Sequence, residues 1–259
     1  MNSYSVIIAA HHRAHLLERA VRSVRNQAVP GLQIIIVSDA DAPAVRQLAR
    51  TLLTGDDLYI ERFGEPGPAL SRNLGIAAAQ SSFVLFLDDD DTLSENYLMQ
   101  ADRYINSDIS TVYYSDFIVI NEDREANLID YNSAVKFSLD GRHQHEVFVK
   151  NFIPNSALIY PAAAIKTKAF DATLILNEDW DFLLNVLQDC SLKYMPVLGP
   201  NIFKTDRSRQ DRRGSVNDHR LAEICLALYQ KWPAPDEETR LARQNLFAAS
   251  GITLPLELF

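Results

Sequence analysis

Over roughly the first 120 residues, short continuous apolar runs alternate with stretches whose apolar residues recur every three or four positions. Ser5–Ala10 (SVIIAA) is the first run, and Leu16, Leu17, Ala20, Val21 and Val24 follow it at helical spacing. Gln33–Ser38 (QIIIVS) is a second, β-branched run entered through Pro30-Gly31, and Pro43 to Leu53 reads as a helix with proline in its first turn. Leu58–Phe63 predicts a third strand. The cluster Gly64-Glu65-Pro66-Gly67-Pro68 predicts a turn, and a helix through Ala79 follows. Phe83–Leu87 (FVLFL) is a fourth, wholly apolar strand. Strands this uniformly apolar, separated by helices, predict an α/β fold with a parallel sheet covered on both faces.

The second half is less regular. Thr111–Ile120 predicts a strand, residues 121–150 a loop-rich stretch, and Asp179–Leu187 a helix with Phe182, Leu183 and Val186 inward. Residues 204–217 read as a polar, arginine-rich loop. Two helices, Asp218–Lys231 and Asp236–Ala249, are expected to close the chain, separated by Pro233 and Pro235. No internal repeat is visible.

The chain has 259 residues, 47% hydrophobic and 23% charged, which supports a sizeable core and excludes whole-chain disorder. Its formal charge of −9, from 25 basic and 34 acidic residues, argues against a nucleic-acid binder. Two cysteines, Cys190 and Cys225, provide neither a disulfide framework nor metal-site spacing, so a reducing compartment is expected. The apolar start is too short for a signal peptide, and no run approaches the ~18 apolar residues of a membrane span.

Candidate chemistry concentrates behind the fourth strand. Asp88-Asp89-Asp90-Asp91 follows FVLFL directly, where ligands of open α/β sheets sit. Adjacent carboxylates repel unless a cation lies among them, and hard oxygen ligands suit Mg²⁺ or Mn²⁺. In an extended stretch Asp88 and Asp90 would face one side.

Asp88-x-Asp90-x-Thr92 resembles two motifs: the first motif of haloacid-dehalogenase-type phosphatases and the Asp-x-Asp motif of GT-A glycosyltransferases. A phosphatase of that type carries its motif on the first strand, whereas here some 80 residues of βαβ pattern precede it. Those residues resemble a family 2 glycosyltransferase. SVIIAAHHRAHLLERAVRSVRNQ is similar to the opening strand and helix, with Ser23-Val24-Arg25-Asn26-Gln27 at its end. IIIVSDADA resembles the second strand and its acidic turn. GEPGPALSRNLGIAAAQSSFVLFLDDDDTL carries the Arg-Asn-x-Gly element, here Arg72-Asn73-Leu74-Gly75, before the Asp-x-Asp. AFDATLILNEDWDFLLNVL and Arg213-Gly214-Ser215-Val216-Asn217 resemble two later blocks. The first loop reads Ala9-Ala10-His11-His12 where the family usually has Pro-Thr-Tyr-Asn, and Ser38-Asp39 retains one of two usual acids.

The resemblance implies a GT-A type, Rossmann-like, mainly parallel sheet with helices on both faces. Residues 1–217 would form the transferase unit, with 1–120 as the nucleotide-sugar half, 121–217 as the acceptor half, and 218–259 as a helical extension. It implies metal-dependent, inverting transfer of a hexose or N-acetylhexosamine from a nucleoside-diphosphate sugar, a UDP-sugar foremost. The acceptor would be a glycan or lipid-linked glycan in bacterial envelope or capsule synthesis. A cytoplasmic protein, peripheral at the inner face of the membrane if associated with it at all, is expected.

By family position Asp90 is the main Mn²⁺ or Mg²⁺ ligand, and Asp88 a metal or ribose contact. Ala9, His11, Arg13, Asp39, Arg72, Asp89 and Arg213 fall at the donor, Asp39 toward the nucleobase. Arg72 would pair either with the acidic cluster or with the donor. Asp91 reads as a helix cap or solvated acid. Asp179 is the implied base, Glu178 its supporting acid, and Trp180 either a wall for a sugar or a core residue. A phosphatase using Asp88 and Asp90, and a sugar-nucleotide binder without turnover, are the alternatives. His143 and His145 are more simply incidental than ligands.

Overall fold

The alternating runs fold as β1 (Tyr4–Ala10), α1 (Ala14–Arg25), β2 (Leu32–Ser38), α2 (Pro43–Leu52), β3 (Leu58–Glu61), α3 (Pro68–Ala78) and β4 (Phe83–Asp88). The structure, a computed structural model, describes residues 2–106, 108–205 and 218–259, with the side chains of residues 218–220 outside the description. Strands β3, β2, β1 and β4 lie side by side in that order, all parallel. Successive strand residues point to opposite faces, so each strand feeds two cores. Val6, Ile8, Ile34, Ile36, Leu85 and Leu87 pack under α1 and α2 through Leu17, Val21, Val45 and Ala49. Ile7, Ile35, Val37, Val84 and Phe86 pack on the other face with α3 and the later helices. Gly75 of α3 permits that second contact: a Cβ there would stand 2.3 Å from Ile7 Cγ2.

Beyond β4 the sheet turns mixed. After β5 (Thr92–Leu93) and α4 (Tyr97–Ala101) come β6 (Thr111–Asp123), β7 (Leu128–Phe137), α5 (Gln144–Val147), β8 (Leu158–Pro161), α6 (Ala162–Ile165), α7 (Glu178–Val186) and β9 (Ser191–Lys204). β8 runs antiparallel between β4 and β6; β9 runs parallel to β6 and antiparallel to β5. One expectation is corrected here. The stretch 121–150 is not loop-rich: its polar β7 pairs antiparallel with β6 across a register shift near Val119 and Asn121. The 14-residue β9 has Pro196, Gly199 and Pro200 in its interior. Such residues break an ordinary ladder, and here the pairing with β6 skips from Met195 to Leu198.

Helices α8 (Asp218–Lys231) and α9 (Glu237–Ala249) close the chain. The side chain of Asp236 caps α9 by accepting from Thr239 N at 2.7 Å. Both helices join the α3/α7 core: Tyr229 packs edge-on against Trp180, and Phe247 and Phe259 pack on Tyr229.

Candidate active site

The carboxyl ends of β1, β2 and β4 open into a cleft of about 720 Å³, within the usual size of a small-molecule site. The strand order reverses between β1 and β4, the place where open α/β sheets bind ligands. Ala9, His11 and Arg13 line the cleft from β1, Asp39 from β2, and Asp88 through Asp91 from β4. Arg72 of α3, Glu178 of α7, Arg124 and the end of β9 complete it.

The acidic run is a turn rather than an extended stretch, and the turn still brings Asp88 and Asp90 to one side. Asp91 N donates to Asp88 O at 3.1 Å. The turn gathers one carboxylate oxygen each from Asp88, Asp90 and Asp91 within 4.8 Å of one another. Three hard anionic donors that close fit a divalent cation of the Mg²⁺ or Mn²⁺ kind. Asp91 is neither a cap nor a solvated acid. It is buried, accepts from Phe203 N at 3.1 Å, and ties the turn to β9. Burial and the neighbouring Asp90 and Asp88 charges push its carboxyl well above the usual range. Asp89 turns the other way, against Arg13, and its carboxyl rises to about 6, chiefly through burial.

At the β1/β2 side, Asp39 is a hub. Its Oδ1 lies 2.5 Å from His11 Nδ1, and its Oδ2 accepts from Gly67 N at 2.6 Å and from Arg62 Nη2 at 3.4 Å. The Gly64–Pro68 turn is thereby held against the end of β2, and His11 stands half-exposed at the cleft wall.

Arg72 joins the two acidic groups of the cleft. Buried in α3, it donates from Nη2 to Asp88 Oδ1 and from Nη1 to Glu178 Oε1, each at 2.9 Å. Next to Glu178, in the first turn of α7, Asp179 accepts from Trp180 N at 2.7 Å. Its carboxyl is pushed up to about 6 by burial and then by the Glu178 charge, with Arg72 pulling the other way. α7 is fixed from below. Asp181 accepts from Lys231 Nζ and, at 2.8 Å, from Trp232 Nε1.

Trp180 does not form a wall of the cleft. It is 3% exposed, donates from Nε1 to Val147 O at 2.8 Å, and packs on Tyr229, so the core alternative holds. Arg213 and the arginine-rich loop lie outside the described residues. His143 and His145 stack on each other at 5.6 Å, away from the cleft lining. Sequence reasoning missed Arg124 and Glu122, brought in by the β6–β7 hairpin; its turn Arg124–Asn127 offered no recognisable signal.

Fold and cleft together define a GT-A type α/β chain with an acidic site at the strand ends. The chain belongs to glycosyl transferase family 2, whose model it matches over residues 5–171. It is 26% identical over 182 residues to the GalNAc(5)-diNAcBac-PP-undecaprenol beta-1,3-glucosyltransferase of Campylobacter jejuni, covering 69% of this chain and 58% of that protein. It is 29% identical over 202 residues to the pre-mycofactocin glycosyltransferase of Mycobacterium tuberculosis, covering 74% and 41%. This chain therefore spans between two fifths and three fifths of these curated relatives. The structure of S. aureus TarS 1-349 in complex with UDP-GlcNAc superposes with a TM-score of 0.68 at 16% identity, over 97% of this chain and 73% of that one, which is likeness of fold. Among the described residues no helix is long and apolar enough to cross a membrane.

Proposed function

We propose that the chain transfers a sugar from a nucleoside diphosphate, UDP foremost, to a glycan or lipid-linked acceptor hydroxyl, inverting the anomeric carbon with the aid of Mn²⁺ or Mg²⁺. One observation carries this reading: the convergence of Asp88, Asp90 and Asp91 in the cleft, joined through Arg72 to Glu178 beside Asp179. Asp39 and His11 receive the nucleobase. Asp90 and Asp88 would hold the cation, with Asp91 behind them. The bound ion would act as a Lewis acid on the diphosphate, an effect worth several kcal/mol.

Asp179 takes the proton of the acceptor hydroxyl as its oxygen bonds to the anomeric carbon and the bond to the diphosphate oxygen breaks. A carboxyl raised to about 6 is still mostly ionised at neutral pH and is a stronger base than an exposed aspartate. Glu178 holds Arg72 in place and keeps the Asp179 carboxyl raised. Residues 1–217 form the catalytic unit, and the extension 218–259 supports α7 through Lys231 and Trp232. Work on a lipid-linked envelope glycan, in the cytoplasm or at the inner membrane face, is part of this reading, supported by the undecaprenol-linked glycan in the name of the Campylobacter jejuni relative.

The test is a thermal-shift panel of UDP-, GDP-, TDP- and CMP-sugars with and without Mn²⁺. A ligand at a hundredfold excess over its dissociation constant stabilises the native state by roughly 2.7 kcal/mol. A shift with one nucleotide class that needs the cation is expected. No shift with any nucleotide refutes the reading.

A further inference from the structure

The carboxylate assigned to the cation is already engaged. Asp90 Oδ2 accepts from Arg13 Nη1 at 2.7 Å and from Arg124 Nη2 at 2.8 Å. A divalent cation at Asp90 would sit beside two guanidinium groups, and like charges at contact distance repel, so its arrival favours release of one of the arginines. Their other partners differ. Arg13 is held by a second bond to Asp89, which is 2% exposed and lies under the turn. Arg124 sits in the turn between β6 and β7. Its Nε donates to Glu122 Oε1 at 2.7 Å, and Glu122 is itself held by Arg19 at 2.8 Å. The Arg124 stem is therefore pinned at Nε while its outer nitrogen reaches Asp90 across the cleft.

We propose that Arg124 exchanges partners: it holds Asp90 in the ligand-free cleft and turns to the donor's diphosphate when a divalent cation takes Asp90. The inference rests on the reading of the cleft as a donor site and adds a residue and a coupling to it. A planar fork with one nitrogen anchored and another free suits a phosphate oxygen as well as a carboxylate. The exchange makes the guanidinium a competitor of the cation and a partner of the nucleotide. Cation and nucleotide then strengthen each other's binding by the same factor.

The signature is a pair of effects of opposite sign. In Arg124→Gln, Mn²⁺ alone, followed as free ion by electron paramagnetic resonance, should bind about tenfold more tightly, the scale of one charge-assisted hydrogen bond. UDP in saturating Mn²⁺, followed by calorimetry, should bind about tenfold more weakly. Arg124→Lys, which keeps the charge but not the fork, should fall between, and it serves if the glutamine variant folds poorly. A structural lesion would weaken both ligands. Unchanged or weaker Mn²⁺ binding in variants of a wild type that binds UDP overturns the exchange and leaves the donor site standing. A wild type that binds Mn²⁺ but no UDP overturns the donor site and the exchange together.

Discussion

Removing Arg72 should move the pH dependence of the reaction. Its guanidinium, 5% exposed, is bonded at 2.9 Å to both Asp88 and Glu178 and lowers the Asp179 carboxyl against burial and the Glu178 charge. With that carboxyl at about 6, roughly nine tenths of it is ionised at pH 7. An opposite charge nearby is typically worth about 1–3 pKa units, so Arg72→Gln should leave about half of it or less ionised at pH 7. In the proposed reaction the ionised form accepts the proton, so activity should climb as pH rises through the pKa, and the climb should move upward in the variant. Stability falls too. Breaking a fully buried pair costs about 3–5 kcal/mol, and the lower end applies because Asp88 is half-exposed and rehydrates. The assay is UDP released from a UDP-sugar with water as acceptor, measured at single turnover from pH 5 to pH 9 on wild type and variant. A folded variant whose climb stays near pH 6 would refute the claim that Arg72 sets the base.

Three further outcomes are expected. Asp179→Asn should lower the transfer rate by roughly 10²–10⁴-fold while donor affinity, read by titration, changes little. Asp39→Ala removes the anchor shared by His11 and Gly67 N and should weaken nucleoside diphosphate binding by about 1–3 kcal/mol in calorimetry. Gly75→Ala drives a Cβ to 2.3 Å from Ile7 Cγ2, so urea unfolding should report a loss of about 1–3 kcal/mol.

What the sequence made legible follows from range. β1, β2 and β4 are continuous apolar runs because both faces are buried, and that pattern predicts parallel strands without any knowledge of partners. Asp39 and the Asp88–Asp90 turn were readable because they end such strands. β9 was hidden by Pro196, Gly199 and Pro200, tolerated only because its pairing with β6 skips there. Arg124 reaches Asp90 from 34 positions away, through a hairpin whose second strand is largely exposed and therefore lacks an apolar signature. Trp180 is ambiguous in the sequence for a related reason. Its motif lies at the site, but its face of α7 is set by Val147 and by Tyr229 of α8, far along the chain.

The central claim is that the cleft at the ends of β1, β2 and β4 is the donor site. A crystal structure grown with UDP and Mn²⁺, with anomalous data collected for manganese, tests it most directly. The account predicts an anomalous peak against Asp90, the diphosphate beside it, and the base at Asp39 and His11. Nucleotide bound elsewhere, or manganese bound away from Asp88, Asp90 and Asp91, would contradict it.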